Sequence, residues 1–467
     1  MLRNHLIFRM TMPRRILTSL LCLALAGCAT YRPLAPGPVP ELPARPDQIQ
    51  VDTRSLPFPV LAAHRFDPRD GLDEIEVATL AVVNNPDLKL ARDDLALARA
   101  QAFAAGLLPD PQLALAGDLS NSDGGSNATR AFSLGLSYDI GTLISHAAGQ
   151  RAARADAQKT SLALLWQEWQ VASQARLAYV RLTYGRRQLA VLEENRKLFA
   201  DRAARTGEAL QAGLLTSDAV LPNLAALQDI DKQIHDLQRQ LSQTGHDLNA
   251  LLGLDPGAAL RLQDGPPAAF ADEGAVDAAL AALPRRRPDL RALEAGYTAE
   301  DQRYRAALLA QFPALNVGLT RSRDNSNVYS NSFGITLSLP LLNRNRGNIA
   351  IEQATRQKLH DEYQVRVQAA RGEIRAVLDQ QRLDREQLGR VDAALAQLEP
   401  AVARSDLAAR SGLVDALAYA NARAALLAKQ TERIALRQQI AEQRVALQTL
   451  LGIAADANAT PSGHQAE

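Results

Sequence analysis

The feature that most constrains this chain is that it is written twice. Pro86-Asp87-Leu88 returns as Pro288-Asp289-Leu290, and Pro111 as Pro313, each 202 residues later. Phe132-Ser133-Leu134 returns in pattern as Phe333-Gly334-Ile335 at an offset of 201. Gly213-Leu214 and Leu251-Leu252-Gly253 return as Gly412-Leu413 and Leu450-Leu451-Gly452 at an offset of 199. Five anchors in one order, with slowly drifting spacing, identify a tandem duplication. The expected organisation is a first repeat over 72–255, a linker over 256–285, a second repeat over 286–454 and a polar tail over 455–467.

Each half carries the same signals. A helix of moderate length is expected from Asp87 to about Leu108 and from Asp289 to about Gln311, stopped by Pro109, Pro111 and Pro313. Two alternating segments follow. In the first half Leu113, Leu115, Gly117 and Leu119, then Phe132, Leu134, Leu136 and Tyr138, are interleaved with Ala, Asp, Ser and Gly. In the second half Leu315, Val317 and Leu319, then Phe333, Ile335, Leu337 and Leu339, are interleaved with Asn, Gly, Thr and Ser. Period two with one apolar face predicts strands, joined by polar hairpin loops at Ser120–Asn127 and Ser322–Asn331.

Long helices come next. From Ser145 to Ala203 there is no proline, and some 59 residues at ~1.5 Å each span about 90 Å. Leu162, Leu165, Trp169, Ala172, Ala175, Tyr179 and Leu182 form one apolar stripe, close to a coiled-coil seam. After a turn near Gly213 the chain returns through Leu227, Ile230, Ile234, Leu237, Leu241, Leu248 and Leu252. The second half does the same from Asn348 to Ala409, turns near Gly412 and returns through Leu436, Ile440, Leu447 and Leu451. The expected fold is therefore mainly α with a small β part: long antiparallel coiled-coil helical hairpins plus four strands per chain. Aromatics at 4% within a hydrophobic fraction of 47% fit closely packed helices and oppose an all-β core.

The strands pose a problem of solvent. With one face apolar and the other Ser, Thr, Asn, Gly and Asp, they can sit on a soluble core or carry lipid outside and water inside. In lipid, four strands cannot close a barrel, and an open edge leaves backbone groups unpaired at several kcal/mol each. Membrane strands of this number require several copies of the chain to share one barrel.

The N-terminus argues for the membrane. Arg3, Arg9, Arg14 and Arg15 precede an apolar run from Ile16 to Leu25, which is too short to span a bilayer as a helix. The run ends in Leu25-Ala26-Gly27-Cys28, which resembles a bacterial lipobox; residues 1–27 are expected to be a removed signal peptide and Cys28 the lipidated residue. The other cysteine, Cys22, lies in the removed part, so no disulfide is expected. Ala29 after Cys28 resembles the outer-membrane type of lipoprotein. Residues 28–71 form the lipidated arm, and its Pro33, Pro36, Pro38, Pro40, Pro43 and Pro46 predict an extended rather than helical course.

Together these residues resemble the TolC-type outer-membrane efflux family, lipoprotein type. The likeness rests on the duplicated order of helix, strand, strand, long helix, turn and long helix. It also rests on the Asn85-Pro86-Asp87-Leu88 and Arg287-Pro288-Asp289-Leu290 starts, and on the exit Leu337-Ser338-Leu339-Pro340-Leu341 followed by Asn343-Arg344-Asn345-Arg346-Gly347. The first half departs from it, with Tyr138-Asp139-Ile140-Gly141 where Leu-Pro is expected. The resemblance implies a homotrimer in the outer membrane of a Gram-negative bacterium, with twelve strands in one transmembrane β-barrel and a long periplasmic α-barrel. It also implies a periplasmic adaptor and an inner-membrane pump as partners, with passive conduction of their substrates to the outside.

It further points to the two helical turns as adaptor-contacting tips. Arg205, Gly213 and Leu214, and Arg404, Gly412 and Leu413, share an Arg-to-Gly spacing of eight. Glycine permits the turn and leucine offers an apolar knob, although a helix C-cap alone also favours Gly. Asp392 and Asp406 approach the second turn and are candidates for a lumen gate, where a trimer turns one Asp into a ring of three; a solvated helix face is the plainer reading. No catalytic residue, metal site or cofactor is expected. The seven histidines lack ligand spacing, and the pairs Asp93-Asp94 and Glu193-Glu194 point to different sides of their helices. With 52 Lys+Arg against 51 Asp+Glu, nucleic acid is not an expected partner. The cargo is not legible; the Asn343–Gly347 run leans towards heavy-metal relatives. The rival reading is a lipid-anchored periplasmic coiled-coil scaffold without a pore.

Overall fold

The four strands form one antiparallel sheet in sequence order, β1 (Gln112–Asp118), β2 (Ala131–Asp139), β3 (Ala314–Arg323) and β4 (Tyr329–Ser338). The computed structural model describes residues 31–38, 41–56, 58–118, 130–264, 270, 273–410 and 416–452. Cys28, Gly412 and Leu413 therefore lie outside the described residues, as does the Ser120–Asn127 hairpin loop. The chain divides into two units, Met1–Leu42 and Pro43–Glu467. In the first, residues 31–38 and 41–42 carry no regular secondary structure. All that follows concerns the second.

The arm of that unit runs from Pro43 with two single 3-10 turns, Pro46–Gln48 and Thr53–Ser55, so its prolines tolerate turns but no continuous helix. The short α1 (Pro59–Ala63) starts on a proline, where the missing N–H is no loss. Phe58 stands edge-on to Trp169 with ring centroids 5.4 Å apart, and Leu61 joins Ala78 and Val82 in a small core.

Next come α2 (Glu74–Asn84), α3 (Pro86–Ala104), the first hairpin, α4 (Ile140–Gln211) and α5 (Ser217–Leu251). Then come α6 (Glu273–Arg286), α7 (Pro288–Leu309), the second hairpin, α8 (Arg346–Arg410) and α9 (Ala416–Leu451). The sequence reading did not anticipate α2 and placed most of α6 in a linker. Both are short helices just ahead of the Pro-Asp-Leu start, so the repeated pattern includes them. The long helices also exceed expectation: α4 has 72 residues and α8 has 65, running through Pro400. The reason at the first crossover is local. Asp139 ends β2 and caps α4 at once, accepting from Gly141 N at 2.8 Å. A Cβ on Gly141 would lie 3.0 Å from Ala314 Cα, so the departure from Leu-Pro is a tight cap beside β3. The second crossover instead turns through Arg344 and Asn345, both at positive φ.

The two halves interlock at mid-length. Leu80 and Val77 of α2, Ala175 and Tyr179 of α4, Leu248 and Leu252 of α5 and Val445 of α9 bury one core. Val276 and Leu283 of α6, Leu290 of α7, Ala370 and Ile374 of α8 and Leu447 and Leu451 of α9 bury its counterpart. The repeated starts have packing roles here. Asn85 accepts from Leu88 N at 3.1 Å as an N-cap and donates to Leu251 O at 3.0 Å. Arg287 is buried, grips Asp289 at 2.9 and 2.7 Å, and lies 4.9 Å over the Trp166 ring. Burial by itself would raise Asp289, but Arg287 and Arg366 hold its carboxyl below the ordinary range.

Candidate functional site

Directly opposed residues of an antiparallel pair share a face, so the register sorts the sheet. One face carries the rows Leu113–Leu136–Leu319–Phe333, Tyr138–Val317–Ile335 and Leu315–Leu337. The other carries Gln112, Ala114, Ala116, Ser133, Gly135, Ser137, Asn316, Gly318, Thr320, Ser332, Gly334 and Thr336. The apolar face has no core beneath it. Leu115 is 75% exposed, Phe333 64% and Ile335 61%, and along β2 every apolar residue from Phe132 to Leu136 is more open than the small residues between. A face of this kind is stable against hydrocarbon or another apolar surface, not against water. The outer edges, β1 and β4, have no strand partner among the described residues.

The second hairpin loop is shorter than expected, because β3 and β4 extend to Arg323 and from Tyr329. Asp324 closes the turn: its Oδ1 accepts from Ser326 N at 2.9 Å and Val328 N at 2.8 Å. The extension brings Arg321 and Arg323 into the sheet, on the apolar face.

At the opposite end of the long helices, Gly213 stands at φ +68. Its N–H donates to Leu210 O at 3.0 Å and that of Leu214 to Ala209 O at 2.8 Å, the paired bonds of a Schellman turn that needs the left-handed residue. Leu214 is 77% exposed, and Leu215, Leu221 and Leu224 are exposed beside it. Arg205 is exposed and pairs with Asp201 one turn back at 3.1 Å; Arg404 is exposed on α8.

The two gate candidates part company. Asp392 is half-buried about 18 residues, or some 27 Å, before the end of α8. Asp406 accepts a 2.7 Å hydrogen bond from the Tyr419 hydroxyl of α9, and the Arg202 guanidinium of α4 lies 3.9 Å over the Tyr419 ring. Three helices thus meet through one acid, one phenol and one cation. Burial and the bond to Asp406 hold Tyr419 above the ordinary phenol range, and burial lowers Arg202. Sequence reasoning singled out Asp406 but missed Tyr419 and Arg202, which are far apart along the chain.

Among the described residues no group of three His, Cys, Asp or Glu side chains could hold a metal ion. Among them, too, no helix is long and apolar enough to cross a membrane.

A sequence model of the outer membrane efflux protein family matches residues 280–453. Comparison with curated proteins gives no match. Among solved structures the chain is similar to CusC, described in terms of folding and transmembrane channel formation, at 22% identity and a TM-score of 0.66, covering 89% of this chain and 99% of that one. It is similar to a membrane protein from Pseudomonas aeruginosa at 22% identity and a TM-score of 0.72, covering 89% and 97%. It is also similar to the CmeC outer membrane channel of Campylobacter jejuni at 17% identity and a TM-score of 0.69, covering 91% and 95%. At these identities the likeness is one of fold. The resemblance read from the sequence is borne out to this extent: residues 280–453 match the outer membrane efflux protein model, and the chain shares the fold of CusC and CmeC.

Proposed function

We propose that this chain is one subunit of a passive outer-membrane exit duct in a tripartite efflux pump. The observation that carries the reading is the sheet, oily and exposed on one face, small and polar on the other, and unpaired at both edges among the described residues. Pairing β4 of one copy with β1 of the next removes the open edges. Three copies supply twelve strands to the barrel, and their long helices form the periplasmic shaft. At ~1.5 Å per residue the 72 residues of α4 extend about 108 Å. An acylated Cys28 anchors the arm in the outer membrane.

The turns at Arg205, Gly213 and Leu214, and at Arg404, Gly412 and Leu413, are the surface offered to a periplasmic adaptor, which delivers substrates from an inner-membrane pump. The exposed Leu214 and Leu215 support this, since apolar side chains at a solvent-facing tip are expected where a partner covers them. Asp406, Tyr419 and Arg202 form a latch that joins the second hairpin to α4 and holds the tip closed. Asp392 lines the approach to it.

Reconstitution in planar lipid bilayers tests the reading. Discrete conductance steps and a heat-modifiable trimer on denaturing gels are the expected result. A delipidated chain that stays monomeric in water and conducts nothing would replace the duct with a lipid-anchored periplasmic scaffold.

A further inference from the structure

The apolar face of the sheet is interrupted in one place. Moving along β3 away from the helices, its outward positions read Leu315, Val317, Leu319, Arg321 and Arg323. The register sets Arg321 between Leu134 and Asn331, and Arg323 between Phe132 and Tyr329. The two arginines therefore stand on the oily side, at the hairpin end, in the last two rows of the apolar band. Phe132 and Tyr329 frame them edge to face with centroids 6.4 Å apart. The Arg323 guanidinium lies 5.2 Å from the Phe132 ring, and that of Arg321 5.9 Å from Tyr329.

Both guanidiniums lie among rings and backbone. Among the described residues no carboxylate forms an ion pair with either; Asp324 is occupied with the turn amides. Arg323 Nη2 donates to Arg130 O at 2.7 Å, and its buried Nε has no hydrogen-bond partner. Arg130, also exposed, adds a third cation at the same edge. Two like charges at alternate positions of one strand sit about 6.6 Å apart along it and repel each other. A lipid-facing arginine costs about 2–4 kcal/mol at mid-bilayer and about 0–1 near the interface. This row is thus the plane where hydrocarbon ends and headgroups begin, and its charges call for an anion there.

We propose that Arg321 and Arg323, framed by Phe132 and Tyr329, form a binding site for a phosphate of a phosphorylated glycolipid in the outer leaflet, whose acyl chains lie on the Leu134–Leu136–Leu319–Phe333 surface below. The proposal rests on the membrane-barrel reading above. Guanidinium is suited to it, because its fork of donors meets phosphate oxygens in pairs. Free phosphate would satisfy the charge and leave the apolar surface bare, so the site favours a ligand with both parts.

The test uses the purified, reconstituted full chain and native mass spectrometry in detergent. The probes are a bisphosphorylated lipid A, the same lipid with its phosphates removed, phosphatidylglycerol and inorganic phosphate. Retention of the bisphosphorylated lipid at least tenfold better than of the dephosphorylated one, with phosphatidylglycerol weaker and inorganic phosphate not retained, is the expected pattern. The R321Q/R323Q variant should lose that tenfold preference. Arg321→Lys with Arg323→Lys keeps the charge and should lose only part of it, which guards against a variant that fails to assemble. Equal retention of the two glycolipids by the unaltered chain overturns the proposal, as does a preference unchanged in R321Q/R323Q. Tighter retention of phosphatidylglycerol overturns it in favour of an ordinary phospholipid. If the unaltered chain also lacks conductance and trimer, the barrel reading falls with it; if these persist, the glycolipid site alone falls.

Discussion

The sheet and the mid-length helical knot treat the same amino acids in opposite ways. In the knot Leu80, Leu248 and Leu290 are sealed from solvent by Ala, Val and Tyr from four helices. In the sheet Leu113, Leu115, Ile335 and Phe333 face outward over nothing, and the small residues turn inward. One chain buries its leucines in the knot and exposes them on the sheet. Apolar burial stabilises a fold at roughly 25 cal/mol per Å² wherever water is the alternative, but the helical knot completes that burial within one chain while the sheet leaves its leucine face exposed. Polar groups divide the same way. The knot holds Glu74 between Arg176 at 2.8 Å and Arg444 at 2.5 Å, whereas Arg321 and Arg323 of the sheet lie at its rim.

The contrast can be broken at either end. The largest effect is expected at Glu74→Ala, which removes the carboxylate shared by Arg176 and Arg444 and should cost about 3–5 kcal/mol, read as a lowered unfolding midpoint. Burial alone would raise Glu74, but Arg176 and Arg444 hold it below the ordinary glutamate range. Its contribution is therefore complete above that range and lost as pH falls through the depressed value.

Next comes Ile335→Arg, a charge placed on the oily face, at about 2–4 kcal/mol if mid-depth. It should abolish the heat-modifiable trimer, while Thr336→Arg on the inner face leaves assembly intact. Equal damage from both substitutions would erase the distinction between the faces. Tyr419→Phe deletes one hydrogen bond at the tip, worth about 0.5–1.5 kcal/mol. It should raise the open-state conductance in bilayers without lowering thermal stability by more than a few degrees.

The smallest effect sharpens the comparison within the helices. Glu352 of α8 faces Glu300 of α7, and that neighbouring carboxyl together with burial pushes Glu352 up to about 7. Two ionised carboxylates repel each other, so a proton on one of them eases the approach of the two helices. A raised value gives stability that is full below the ordinary glutamate range and declines as pH rises to about 7, the reverse of Glu74. Amide exchange around residues 296–304 should speed up between pH 5 and pH 8, and Glu300→Gln should remove the dependence.

Much of the fold was legible because it is periodic. Alternation marked all four strands, and the 3-4 spacing of Leu162 to Leu182 marked the long helix. The limits of that reading are also physical. Alternation weakens where Arg321 and Arg323 replace aliphatics, so the strand ends were taken for loop. The start of α4 was missed because Asp139 serves as the end of a strand and the cap of a helix at once. The gate network was half visible: Asp406 stood near a turn, but its partners come from helices that only tertiary packing brings near. The Glu74 node is likewise invisible to spacing, since Arg444 lies 370 residues away.

The face opposite the leucines carries Ala, Ser, Gly, Thr and Asn, with Gln112 and Asp139 at one end and Asp118 at the other, and among its described residues there is no ring and no Lys or Arg. In the duct proposed above, a wall of this kind gives a traveller little to grip. Hydroxyls and backbone would offer it weak, interchangeable contacts, so under that proposal width and diffusion set the dwell time, and discrimination among cargoes falls to the loading end.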